Sequence, residues 1–234
     1  MKTDRSIPLW LVVVFMAVFL GLSGWQFYRL IWKESLITER QSKLDMPPLT
    51  WPIVAQSVPD LSFRRSQLTG RFDHLHEIYL VAGSRQGESG FNVLVPFYLE
   101  NGLAIIVNRG WVPAHKKDPA TRSAGVTDGL ITIEGILRPG MQQGLFVPNN
   151  ISEKNTWVWV DLPAMINYAK IPHYIPFLLY MDIDNKAVPG GFPIGGQTPL
   201  ELPNNHLEYA LTWLLLALLI SLLYYFHPYL NKPK

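Results

Sequence analysis

Apolar residues crowd the two ends of this chain, and between them the pattern breaks into short alternating runs. Residues 9–22 are apolar except for Gly21, and residues 209–226 are apolar except for Thr212 and Ser221. A helix needs about 20 mostly apolar residues to cross the hydrocarbon of a bilayer. Two spans are therefore predicted, over 7–28 and 207–227, enclosing a long polar loop. Tryptophans near both ends of the first span, Trp10 and Trp25, suit the membrane interface. The competing reading of the first segment is a cleaved signal peptide, but Gly21-Leu22-Ser23 before Gly24 only loosely matches a small-residue cleavage site.

The loop alternates with the period of strands. Candidates are 64–72, 77–82, 92–99, 103–108, 130–137, 156–160 and 177–181, separated by turn residues such as Glu100-Asn101-Gly102 and Arg138-Pro139-Gly140. Asn-Gly between two apolar runs is a strong hairpin signal, because both residues accept positive φ. Residues 31–43 continue the first span as helix, and 162–169 form another. Pro47, Pro48, Pro52 and Pro59 mark an extended lead-in, and the glycine-rich stretch 189–203 a flexible return to the membrane. The expected fold is thus two transmembrane α-helices flanking a mainly antiparallel β domain, barrel or sandwich-like, with minor helices. Its parts are a tail over 1–6, a span over 7–28, the β domain over 29–206, a span over 207–227 and a tail over 228–234.

Charge orients the spans. Lys2 and Arg5 precede the first and Lys232 and Lys234 follow the second. Basic flanks mark the cytoplasmic side. Both termini are expected there, with the β domain extracytoplasmic. The net charge is only +2, and the basic residues of the loop are scattered among acids. No basic stripe for nucleic acid results. Cysteine is absent, which excludes disulfides, thiol nucleophiles and thiolate metal sites. No nucleophile elbow, phosphate loop or zinc-protease helix occurs, so the residues offer no enzyme machinery.

The chemistry concentrates at the two membrane boundaries. In Pro203-Asn204-Asn205-His206-Leu207-Glu208, Asn205 is a good N-cap and His206 the first helical residue. Helical spacing then places Tyr209 or Ala210, Trp213 and Ala217 on its face. Neutral imidazole is a good axial ligand for haem iron; an interfacial histidine wetted on one side is the plainer alternative. At the other span, Gly21, Trp25 and Arg29 recur every four residues, and glycines permit close helix approach. Arg29 can bind a carboxylate such as a haem propionate, or simply reach for headgroups. Within the loop, Arg109 and Trp111 are candidates for a partner-binding edge, against a packed strand exit. His74 and His76 would share one face of a strand, which allows a metal pair, though no third ligand is evident.

Several segments together resemble the Surfeit locus protein 1 family. They are Gly24-Trp25-Gln26 with Arg29, Trp32 and Lys33; Gly90-Phe91 with Pro96; Val107 through Pro113; Glu134-Gly135; and Asn204-Asn205-His206-Leu207 with Tyr209-Ala210, Thr212 and Trp213. They fall in the family's order and span nearly the whole chain. Departures are Phe91 where tyrosine is usual and Leu214 where phenylalanine is usual. The resemblance implies an assembly factor for haem-copper cytochrome c oxidase, with subunit I as partner and haem a as cofactor. It further implies, as for bacterial inner-membrane members, that His206 ligates the haem iron; helical spacing makes Trp25, Arg29 and Trp213 candidate cofactor-binding residues beside it, and haem a synthase is a candidate second partner. A cofactor-free scaffold stabilising an oxidase intermediate is the alternative, and a tethered exported enzyme is disfavoured by the missing machinery.

Overall fold

The computed structural model describes residues 8–51, 61–182, 189–196 and 203–230. It divides into two units, one formed by residues 1–41 with 201–234 and the other by residues 42–200. The expected terminal tails fall largely outside the described residues.

In the second unit the alternating runs become strands. They are β1 (Leu49–Thr50), β2 (Arg65–Phe72), β3 (Ile78–Arg85), β4 (Glu88–Leu99), β5 (Ala104–Pro113), β6 (Ile131–Arg138) and β7 (Tyr174–Met181). A short helix, α2 (Leu162–Tyr168), precedes β7. The sheet runs β1-β2-β6-β7-β5-β4-β3, and β2 also pairs with β4. That extra pairing, Gly70–Phe72 against Phe97–Leu99, closes β2, β6, β7, β5 and β4 into a five-stranded barrel. Closure removes unpaired edges. All neighbours are antiparallel except β5–β7 and β1–β2.

Side chains alternate across this wall. Leu68, Phe97, Ile105, Val107, Ile133 and Phe177 fill the barrel. Ile78, Leu94, Ile106 and Leu178 face outward and are covered by Trp157 and by Leu162, Met165 and Ile166 around α2. Every residue of β5 is buried. A strand covered on both faces reads as a continuous apolar run, which is how Ala104-Ile105-Ile106-Val107 reads.

The Asn-Gly signal holds. Gly102 takes φ +81°, and Leu103 N donates to Asn101 Oδ1 at 3.1 Å between β4 and β5. A second hairpin was hidden in a polar stretch. Gln86 and Gly87 take φ of 52° and 85°, so a two-residue turn joins β3 and β4, which run further than their apolar cores suggested. The expected strand over 156–160 does not form. Trp157 makes one isolated bridge to Leu80, and Thr156 one to Ile151. The segment is apolar because Trp157 is wholly buried, not because it joins a ladder. His74 and His76 lie in a 3-10 turn rather than a strand, and no group of three potential metal ligands occurs among the described residues. The start of the return segment is tied down: Ile194 and Trp111 exchange backbone hydrogen bonds of 2.8 and 2.9 Å. Residues 197–202 of that segment, and 52–60 of the lead-in, lie outside the described residues.

The other unit is a pair of helices, α1 (Leu9–Asp45) and α3 (His206–Leu230). Both are long and apolar enough to cross a membrane, with a mean hydropathy of 1.9 in each case. The expected continuation of the first span as helix over 31–43 is part of α1.

Candidate functional site

In α1 the residues turned toward α3 are Val12, Met16, Phe19, Ser23 and Gln26, spaced four, three, four and three apart. In α3 their counterparts are His206, Ala210, Trp213, Ala217 and Ser221. This spacing draws one stripe down each helix. Val12, Ser23, Gln26, Ala210 and Ala217 are buried. Four contacts along the stripe fix the pair as antiparallel. Met16 lies 3.2 Å from Ser221 Oγ, Phe19 stacks on Trp213 at 5.7 Å, Ser23 Oγ donates to Ala210 O at 2.9 Å, and Gln26 meets His206. Two turns further along α1, Lys33 Nζ donates to Pro203 O.

His206 opens α3, as its position after Asn205 predicts, and Tyr209 N donates to the Asn205 carbonyl. The His206 ring is half-buried. Its Nδ1 lies 2.7 Å from Gln26 Oε1. An amide oxygen only accepts, so in the neutral ring this contact calls for the proton on Nδ1 and leaves the lone pair on Nε2. Among the described residues Nε2 has no hydrogen-bond partner. His206, Ala210, Trp213 and Ala217 share a face, as their spacing requires. Trp213, however, is engaged by Phe19.

Gly21, Trp25 and Arg29 lie beside this seam rather than in it. Gly21 and Gly24 have nothing within 4 Å of where a Cβ would stand, so the expected close helix approach at glycine does not occur. The close approach is at Ser23, Ala210 and Ala217 instead. Trp25 is 54% exposed, and the Arg29 guanidinium sits 4.3 Å from the Trp32 ring centroid. Gln26, next to Trp25 in the chain but within the seam, was not singled out from the sequence as a site residue. The four-three recurrence with Val12, Phe19 and Ser23 was the signal that could have found it.

In the barrel domain, Arg109 and Trp111 are interior, 6% and 5% exposed. They do not present side chains on a surface edge. A bulge explains both positions. Val93 pairs with Gly110 and Leu94 with Asn108, so Arg109 is the extra residue. Asn108 Oδ1 accepts from Gly110 N at 3.0 Å. Gly110 has φ +130°, and a Cβ there would meet Ile194 O at 2.1 Å; only glycine fits. Arg109 Nη2 donates to Gly125 O at 2.9 Å, and the guanidinium lies 4.8 Å from the Phe72 ring centroid. Burial pushes its pKa down to about 10. Trp111 crosses Gly90, whose absent Cβ would meet the indole at 2.4 Å.

Near Arg109 is a buried polar cluster that no sequence spacing announced. Arg122 binds Glu77 through both terminal nitrogens, and both residues are about 5% exposed or less. Tyr79 Oη donates to Glu77 Oε2 at 2.9 Å, and His74 Nδ1 lies 3.5 Å from Glu77 Oε1. Burial alone would raise the Glu77 pKa, but His74, Arg122 and Tyr79 together hold it below the ordinary carboxylate value. The same burial, with Glu77 adjacent, raises Tyr79. Forty-five residues of sequence separate Glu77 from Arg122, so only the fold brings them together.

Comparison with known proteins agrees with this architecture. The SURF1 family profile matches residues 13–218. The chain belongs to the SURF1 family. It is 36% identical over 237 residues to Surfeit locus protein 1 of Mus musculus, covering 95% of this chain and 76% of the mouse protein. It is 35% identical to the Takifugu rubripes protein of the same name, over 96% of this chain and 98% of the fish protein. A SURF1-like protein of Monosiga brevicollis is also 35% identical, over 87% and 81% respectively. SURF1 proteins are membrane proteins and cytochrome oxidase assembly factors, not a known enzyme family. The matched residues take in much of both seam helices, and the Gly90–Trp111 contact makes the two segments that resemble the family around Gly90 and Asn108 neighbours in space.

Proposed function

We propose that this chain is a membrane-anchored assembly factor for haem-copper cytochrome c oxidase that binds haem a through His206 and assists its delivery to, or retention in, subunit I. The observation that carries the haem reading is the state of His206. Its Nδ1 is occupied by Gln26 while Nε2 keeps its lone pair without a protein partner among the described residues. That is the donor a haem iron takes from imidazole. Family membership supports the assembly role.

Haem a, when bound, would supply an iron able to take an imidazole nitrogen as ligand. This chain's residues do the rest. His206 provides the donor at the first turn of α3. Arg29, one turn beyond Trp25, provides a guanidinium for a propionate carboxylate. Trp25, more than half exposed, provides apolar surface for the macrocycle, and Trp213 on the His206 face adds the part of its ring that stacking on Phe19 leaves uncovered. The setting is the inner membrane of a bacterium, with both termini cytoplasmic and the barrel extracytoplasmic. Subunit I is the acceptor, and haem a synthase is the supplier.

The test is the absorption spectrum of protein purified from cells that make haem a, followed by pigment extraction. The parent should carry a Soret band and extractable haem a, and His206→Ala should lose both while remaining in the membrane. An unchanged band in His206→Ala would overturn axial ligation. Absence of haem from both would favour a cofactor-free scaffold.

A further inference from the structure

We infer that Gln26 is a positioning residue that selects the tautomer of His206 and so aims its Nε2 lone pair outward for a ligand; this rests on the haem reading above. Free imidazole distributes its proton between the two nitrogens, and only the unprotonated one can ligate a metal. Something must therefore choose. The residue that chooses is the one bonded to the other nitrogen.

Three observations assign that role to Gln26. Its Oε1 lies 2.7 Å from His206 Nδ1, which is good geometry for an N–H donor. Gln26 is 9% exposed, so water competes poorly for its amide oxygen, and an unpaired buried amide costs about 1–3 kcal/mol. Its place is rigid: Ser23, one turn before, is bonded to the α3 backbone at Ala210, and Phe19, two turns before, is stacked on Trp213. The amide is thus delivered by one helix to the first residue of the other. It cannot turn away without loss of its own partner.

The two functional groups lie on opposite ends of the sequence, 180 residues apart. The first span therefore does more than anchor the domain. It completes the ligand set up by the second. Hydrocarbon offers an amide no partner, so a buried amide at this place has a desolvation cost that an apolar residue would not, and the cross-helix bond to the histidine offsets it.

The experiment uses the full chain in lipid nanodiscs, without haem, carrying 15N-labelled histidine. The His206 signals are identified by their loss in His206→Ala. The parent should show Nδ1 protonated and Nε2 bare. Gln26→Leu, which keeps the volume but accepts no hydrogen bond, should shift the population toward the Nε2–H form. Gln26→Glu, which still accepts, should hold the parent tautomer. Haem a affinity, measured by titration into the same discs, should fall about 10–100-fold in Gln26→Leu and be restored in Gln26→Glu, as for other partners of ligating histidines. An unchanged tautomer in Gln26→Leu, or an Nε2–H form in the parent, would overturn the inference even if His206→Ala lost haem. Haem retained in His206→Ala would instead overturn the haem reading, with the tautomer shift still measurable.

Discussion

Arg122, in the segment after β5, and Glu77, just ahead of β3, bury a full pair of charges, and each depends on the other for solvation. Removal of one partner strands the other. Arg122→Met should destabilise the domain by about 3–5 kcal/mol, and Glu77→Leu combined with Arg122→Met should lose less than the single change. Acid should act at the same place. The Glu77 pKa is held below 4.5 in the folded state. Its stabilisation is therefore complete above that value and lost as pH falls through the folded pKa. Denaturant titrations of the full chain, followed by tryptophan fluorescence, should show the midpoint falling below pH 4.5 in the parent. In Glu77→Gln that slope should flatten; an equal slope would place the acid sensitivity elsewhere. Arg109 stays charged throughout, since even at about 10 its pKa lies above the working range.

At the scale of elements, the seam makes its own demand for small residues. Ala210 and Ala217 are 0% and 4% exposed, and a larger side chain at either would separate the helices. The absence of native cysteine makes the pairing directly testable. Met16→Cys with Ser221→Cys, whose parent side chains are 3.2 Å apart, should oxidise to a disulfide in the membrane. Adding Ala217→Leu should slow that cross-link severalfold, and equal rates would contradict the seam. How much of this was legible from sequence depends on contrast. Strands β2, β4, β5, β6 and β7 could be read because polar residues punctuate them. The hairpin tip at Gln86-Gly87 was missed because its residues face solvent on both sides, leaving no alternation. Trp157 misled in the opposite sense, since a single buried side chain looks like a strand core. Within a span nearly every position is apolar, so the face of α1 that meets α3 has no polar face to contrast with it. His206 was legible as the one imidazole in the first turn of that helix. Gln26 was not, because its role depends on a partner near the other end of the chain.

For the whole molecule, the basic flanks predict which side of the membrane holds the barrel. Leu145, 98% exposed in the loop after β6, is a suitable reporter site. A membrane-impermeant maleimide should label Leu145→Cys in intact cells, and should reach a cysteine added after Lys234 only after lysis; the reverse pattern would invert the topology. The barrel's closure also has a bearing on synthesis. Strand β7 lies between β6 and β5, yet it is the last strand to leave the ribosome. Until Tyr174–Met181 is made, β5 and β6 each keep a row of unpaired backbone groups, the condition that invites pairing with foreign chains. Pairings so distant in sequence also form slowly. A nascent chain stopped anywhere before Tyr174 thus holds most of its strands but no barrel. Its first span is already available for insertion, so an interrupted product would sit in the membrane as an open, adhesive sheet.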